Sequence, residues 1–160
     1  MYRKAEDLLE DWAVSAAGTL SVMKAITDDK MNTAIVEGHS TLGWLAWHLT
    51  GSIGTIAGAA GLQVPFIERG TPVPASMSQI VEKYEAAVET FKNEAGKLTD
   101  EQLAEEIDGF MGRTARGKFL RLLIDHQTHH RGQMTVLLRQ AGLPVPGVLG
   151  PTKEMLAARS

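Results

Sequence analysis

The residues best suited to chemistry in this chain are two histidines four positions apart. His126 and His130 lie on the segment KFLRLLIDHQTHHRGQMTVLLRQ, residues 118–140. On a helix, residues i and i+4 stand one turn apart on one face, and two imidazoles so placed can bind one ion. Stepping about 100° per residue from His126 brings Phe119, Leu122, Leu123, His130, Gln133 and Leu137 within about 60° of it. Arg121, Asp125, Thr128, Gly132, Thr135 and Arg139 fall on the other side. His126, His130 and Gln133 thus interrupt a stripe that should face a core, where unpartnered polar groups cost free energy. A metal ion is the partner that best satisfies them. Gln127 stands where the zinc-peptidase pattern H-E-x-x-H places its glutamate. An amide cannot take a proton, so the peptidase reading loses its general base.

A metal needs a third protein ligand from elsewhere. The other histidines are His39, His48 and His129. His48 is the best choice. It lies in LGWLAWHLTGS, and its face carries Thr41, Trp44, Leu45, Ser52 and Thr55, a rim with hydroxyls rather than the centre of an apolar arc. His39 falls in a loop before that helix, and His129 sits about 60° to one side of His126. Plainer readings stand beside these. An isolated histidine pair at this spacing is more often structural than metallic, and a single histidine such as His48 is more often packed against a backbone carbonyl. Trp44 and Trp47 read as core and interface aromatics, Gln133 as a buried amide with local partners, and Asp125 as the i,i+4 partner of Arg121. A second apolar edge, Leu120, Ile124 and Leu138 beside Met134, fits either a core or a dimer surface.

Composition narrows the class. The 160 residues carry a net charge of −3, and 44% are apolar, which suits one domain, 1–160, with a substantial core. No basic run points to nucleic acid as a partner. There is no cysteine, which removes disulfides, zinc–thiolate sites and cysteine nucleophiles. The opening MYRKAEDLLEDW has acids where a signal peptide would be apolar. No apolar run is long enough for a membrane span. The expectation is a cytoplasmic protein with a small-molecule substrate.

The site must be positioned by helices. Leu8, Leu9, Trp12, Ala16, Leu20, Met23 and Ile26 repeat with helical period over residues 4–26, and Thr27-Asp28-Asp29 ends that segment. Ser40 or Thr41 can cap a second helix over residues 42–60. Its Gly43, Gly51, Gly54 and Gly58 lower helix propensity by roughly 1 kcal/mol each, so close packing against another helix is expected. Residues 61–75 carry Pro65, Pro72 and Pro74 and form a long connection expected to cross the end of a bundle. Ser76-Met77-Ser78-Gln79 reads as a capping box before a third helix marked by Ile80, Tyr84, Val88 and Phe91. Thr99-Asp100-Glu101-Gln102 can cap one short turn. Residues 108–112 read as a glycine-bearing loop and residues 114–141 as the fourth long helix, stopped by Gly142 and Pro144. The tail from Val145 is expected to pack along the surface. With no clear strand pattern, the sequence predicts an all-α four-helix bundle with a long crossover connection.

Two blocks then resemble a known family. Ser40 to Ser52, STLGWLAWHLTGS, is similar to the tryptophan-rich second helix of the DinB/YfiT-like superfamily, which ends in a histidine ligand. Thr114 to Pro151 is similar to that family's H-x-x-x-H-R-G-Q helix and its proline–glycine tail. The helix order extends the likeness to nearly the whole chain. The resemblance implies a homodimeric DinB-like bundle with a three-histidine site at His48, His126 and His130, and zinc or nickel as the divalent metal. It also implies activities such as transfer of low-molecular-weight thiols. Three neutral imidazoles leave positions open on an ion, as in catalytic rather than structural sites. Bound water or thiol would be acidified there. The leading expectation is a metal-dependent S-transferase; a metal-dependent hydrolase and a non-enzymatic metal-binding dimer are the alternatives. No general base is committed by spacing, although His129, Asp125, Asp108 and Glu37 are candidates. Arg116 and Arg131 could hold an anionic substrate, although a solvated helix face suits each better. A di-iron carboxylate bundle fits poorly, because the chain has no Glu-x-x-His pair.

Overall fold

The computed structural model describes residues 1–158. Its elements are α1 (Ala5–Lys24), a 3-10 turn (Asp28–Lys30), α2 (Leu42–Ala59), α3 (Met77–Ala95), short α4 (Asp100–Ala104), β1 (Glu106–Gly109), β2 (Gly112–Ala115), α5 (Arg116–Gln140) and short α6 (Lys153–Ala157). Helices α1 and α2 each pack on both α3 and α5. The four long helices therefore close a bundle around fully buried Trp12, Leu45, Leu49, Ile53, Ile80, Tyr84, Phe91 and Leu120, the predicted all-α architecture. No helix among the described residues is long and apolar enough to cross a membrane.

Local chemistry sets the ends of the helices. The Thr41 hydroxyl accepts the Trp44 N–H at 3.1 Å and starts α2. Ser76 gives α3 only the forward half of the expected box, accepting the Gln79 N–H at 3.5 Å, while its hydroxyl also shares a hydrogen bond with Ser78. The reciprocal box forms at Thr99. Its hydroxyl accepts from Gln102 N–H, and the Gln102 amide oxygen accepts from Thr99 N–H at 2.9 Å. Two such bonds satisfy donors that a helix start otherwise leaves orphaned.

Two expectations are corrected here. The segment read as a loop is an antiparallel hairpin, with Ile107 opposite Thr114 and Gly109 opposite Gly112 around a Phe110–Met111 turn. Four-residue strands are too short to show a period, and Gly112, at φ 106°, makes the turn possible. Thr114 and Ala115 belong to β2, so α5 starts at Arg116.

The long connection also departs from expectation, because it runs back along the flank of α2. A Cβ on Gly54 would strike the Pro65 carbonyl oxygen and come within 2.6 Å of the Phe66 Cα. Ile67 lies over Gly51, and the Trp47 indole donates to the Thr71 carbonyl at 3.3 Å. Gly51 and Gly54 therefore admit the crossover segment rather than a neighbouring helix. The crossover becomes a wall beside the helix that carries His48.

Candidate metal centre

His48 on α2 and His126 and His130 on α5 converge. One ring nitrogen from each lies within 4.8 Å of the other two. His48 Nε2 and His126 Nε2 are 3.1 Å apart, and the ring centroids are separated by 4.9, 4.7 and 4.5 Å. Two nitrogens each about 2.0–2.1 Å from one tetrahedral ion stand about 3.3 Å apart. The His48–His126 pair is close to that separation, and a ring nitrogen of His130 lies within 4.8 Å of both.

The electrostatics favour the ligand form of these rings. Burial, followed by the charge that His130 would carry, holds the His48 imidazole below the ordinary histidine range. The same two influences, with smaller ones from His48 and His129, push His126 down to about 4. Both rings are therefore neutral near pH 7, with lone pairs available. His130 Nδ1 lies 2.8 Å from the Gln133 amide oxygen. An N–H donated there leaves Nε2 bare for an ion, the arrangement by which outer partners fix a ligating tautomer. His126 Nδ1 is buried with no hydrogen-bond partner, a state that costs about 1–3 kcal/mol. A structural histidine would be expected to engage both nitrogens. This ring instead directs its other nitrogen to the cluster, so the donor set fits a divalent cation better than a packed core.

The histidines occupy the rim of the buried face of α5, not its centre. Gln127, Arg131, Met134 and Leu138 are among the buried residues, and this face is centred about 90° round the helix from His126. The edge formed by Leu120, Ile124 and Leu138 is core. His126 and His130 are half-buried, and Gln133 is exposed. Polar side chains occupy the true core face because each has partners. Gln127 accepts from the Tyr84 hydroxyl at 3.0 Å and donates to the Leu49 carbonyl at 3.2 Å. Arg131 donates to the Ser15 carbonyl at 2.9 Å and the Thr19 hydroxyl at 3.1 Å. It is 4% exposed, so its expected place on a solvated face is corrected, as is any hold on substrate. Arg116 is likewise engaged, by the Ala60 and Gln102 carbonyls and Glu105.

The remaining sequence candidates lie outside the cluster. His39 and His129 are exposed. Asp125 pairs with Arg121 at 2.9 Å, as its spacing suggested. Asp108 sits opposite Arg113 in the hairpin, and Glu37 is exposed in the loop before α2. Three residues take places beside the cluster that the sequence did not assign them. Trp44 stacks on His48 with centroids 4.8 Å apart and planes 7° from parallel; its i−4 spacing was the available signal. Gln133 orients His130 from i+3. Glu68, on the crossover, is the single acid on the wall of a cleft of about 820 Å³ that includes His48 and His126; a loop position gave no signal.

A four-helix bundle with a crossover beside a three-histidine rim defines the class. The DinB family model matches residues 1–159, and the chain belongs to the DinB family. A Bacillus subtilis protein described as the uncharacterized protein YrdA is 37% identical over 155 residues, covering 96% of this chain and 93% of its own. A solved DinB-like protein from Bacillus cereus superimposes with a TM-score of 0.82 at 39% identity, over 92% of this chain and 99% of that one. The DinB-like protein YjoA from Bacillus subtilis shares the fold, with a TM-score of 0.72, 21% identity and coverage of 89% and 97%.

Proposed function

We propose that this protein holds a divalent metal ion, zinc or nickel, on His48, His126 and His130 and uses it to transfer a low-molecular-weight thiol to a small electrophilic substrate. The observation that carries the reading is three imidazole nitrogens from two helices meeting within 4.8 Å, two of them, on His48 and His126, at the wall of an open cleft. A divalent ion with three neutral ligands keeps its full charge and an open position, and would favour the thiolate form of a bound thiol. The residues supply the rest. His126 stays neutral to well below pH 7, the Gln133 amide oxygen stands where it would accept an N–H from His130 Nδ1 and leave Nε2 for the ion, and Trp44 stacks on His48. In the overall reaction the S–H proton passes to solvent, a carbon–sulfur bond forms, and the bond from that carbon to its leaving group breaks with its electron pair. The chain has no cysteine, so no protein thiol competes with the exogenous one.

Glu68 favours a second reading. A carboxylate on the cleft wall is the group a metal-dependent hydrolase needs to take a proton from water. Elemental analysis of untagged protein, followed by a screen of electrophiles with and without added thiols, separates the readings. One equivalent of metal with thiol-dependent turnover supports transfer. Turnover of esters or amides without thiol supports hydrolysis. Protein purified and reconstituted without stoichiometric metal removes both.

A further inference from the structure

The chain has three tryptophans, two tyrosines and four phenylalanines. Only Trp44, Phe66 and Phe110 are exposed, at 42%, 65% and 58%. They come from three separate elements, α2, the crossover and the hairpin turn, yet all three line the cleft beside the histidines. Exposed aromatic surface is unfavourable in water, and its gathering at one concavity marks a binding site rather than scatter. The cleft volume, about 820 Å³, lies in the range of small-molecule sites, about 300–1,000 Å³.

The polar wall says what kind of molecule fits. Ser52 donates to the Leu49 carbonyl, Thr55 to the Gly51 carbonyl and Thr71 to the Glu68 carbonyl. The Trp47 indole N–H is engaged by Thr71. Each of these donors is already taken by backbone. Glu68 and Arg69, adjacent on the crossover and both on the wall, carry opposite charges that offset one another. The cleft therefore offers apolar and aromatic surface without a concentrated charge to grip a phosphate or a polyanion.

We propose that this cleft binds a small molecule with an uncharged aromatic body, clasped by Trp44, Phe66 and Phe110. Under the metal-transferase reading, on which its catalytic meaning rests, the electrophile would then be an aryl-bearing compound with its reactive carbon toward the histidines. Binding itself needs no metal. The test is a fluorescence titration of the metal-free full chain with phenylnaphthylamine, a neutral aromatic probe. Saturable binding is expected, weakened about tenfold in Phe66→Ala and in Phe110→Ala and unchanged in Met111→Ala. Met111 shares the turn with Phe110, is 95% exposed and does not line the cleft. Absence of saturable binding, or equal affinities in all four proteins, overturns the proposal. Zinc uptake measured on the same samples tests the metal reading separately, so either can fail while the other stands.

Discussion

At the scale of single residues, one nitrogen of each of the three imidazoles faces the cluster, and Gln133 engages the other nitrogen of His130. Removing an inward nitrogen is the sharpest intervention. His48→Ala and His126→Ala are each expected to abolish stoichiometric metal while leaving the helical circular dichroism intact, because both rings are half-buried at the rim and the core lies elsewhere. Full metal retention in either variant, by elemental analysis, would remove that residue from the site. Gln133→Ala should act more gently. It keeps all three ligands and deletes the acceptor on His130 Nδ1, and loss of such an outer partner typically costs about 10–100-fold in metal affinity. Competition with a chromophoric chelator measures this; unchanged affinity would mean that Gln133 plays no orienting role. The metal-ligand candidates were legible in the sequence because ligand chemistry needs few residue types and a rigid helical spacing. Arg131 was not legible. A guanidinium on a helix ordinarily reads as solvated, and most of the partners that let this one be buried, Ser15 and Thr19, lie far away in the sequence on α1, with Thr128 of its own helix beside them.

At the scale of elements, the helices were legible from period and caps, whereas the route of the crossover was not. Pro65, Pro72 and Pro74 show that residues 61–75 cannot be helix, but nothing local states which surface they lie on. Gly54 carries that information only once Pro65 is known to sit against it. Gly54→Ala should therefore cost about 1–3 kcal/mol, the usual range for overpacking, since backbone cannot swing aside as a flexible side chain can. Gly58→Ala is the contrast. Nothing lies within 4 Å of the point where its methyl would stand, so helix propensity alone should stabilise it by up to about 1 kcal/mol. Urea denaturation of the pair checks both signs, and equal shifts would mean that the crossover does not press on α2. The tail offers a pH test. A hydrogen bond from Arg139 holds the Glu154 carboxyl down at about 2, against 4.5 ordinarily. A depressed carboxylate pKa contributes stability above about pH 4.5 that is lost as pH falls toward 2. The α6 amides should lose protection across that window in NMR hydrogen exchange, and Arg139→Gln should remove the step. Identical profiles would show that another contact secures α6.

At the scale of the whole molecule, the bundle accounts for most apolar residues but leaves some uncovered away from the cleft. Ile35 and Val136 are 52% and 47% exposed. They border one shallow depression of about 330 Å³ with Leu45 and Leu137. The second apolar edge of α5, Leu120, Ile124 and Leu138, is buried inside the bundle, so it cannot serve as a dimer surface. We propose that the protein is a homodimer and that the Ile35–Val136 face lies in its interface. A stable interface covers roughly 800 Å² per partner, a little under a tenth of the 9055 Å² surface. A carboxylate placed there would be desolvated in both copies on association, and like charges would meet across a two-fold axis. Val136→Asp is therefore expected to give a monomer in sedimentation velocity at micromolar concentration, with helix content and metal stoichiometry as in the parent. The parent itself should sediment as a dimer. A monomeric parent would refute dimerisation, and a Val136→Asp protein that remains dimeric would move the interface to another face.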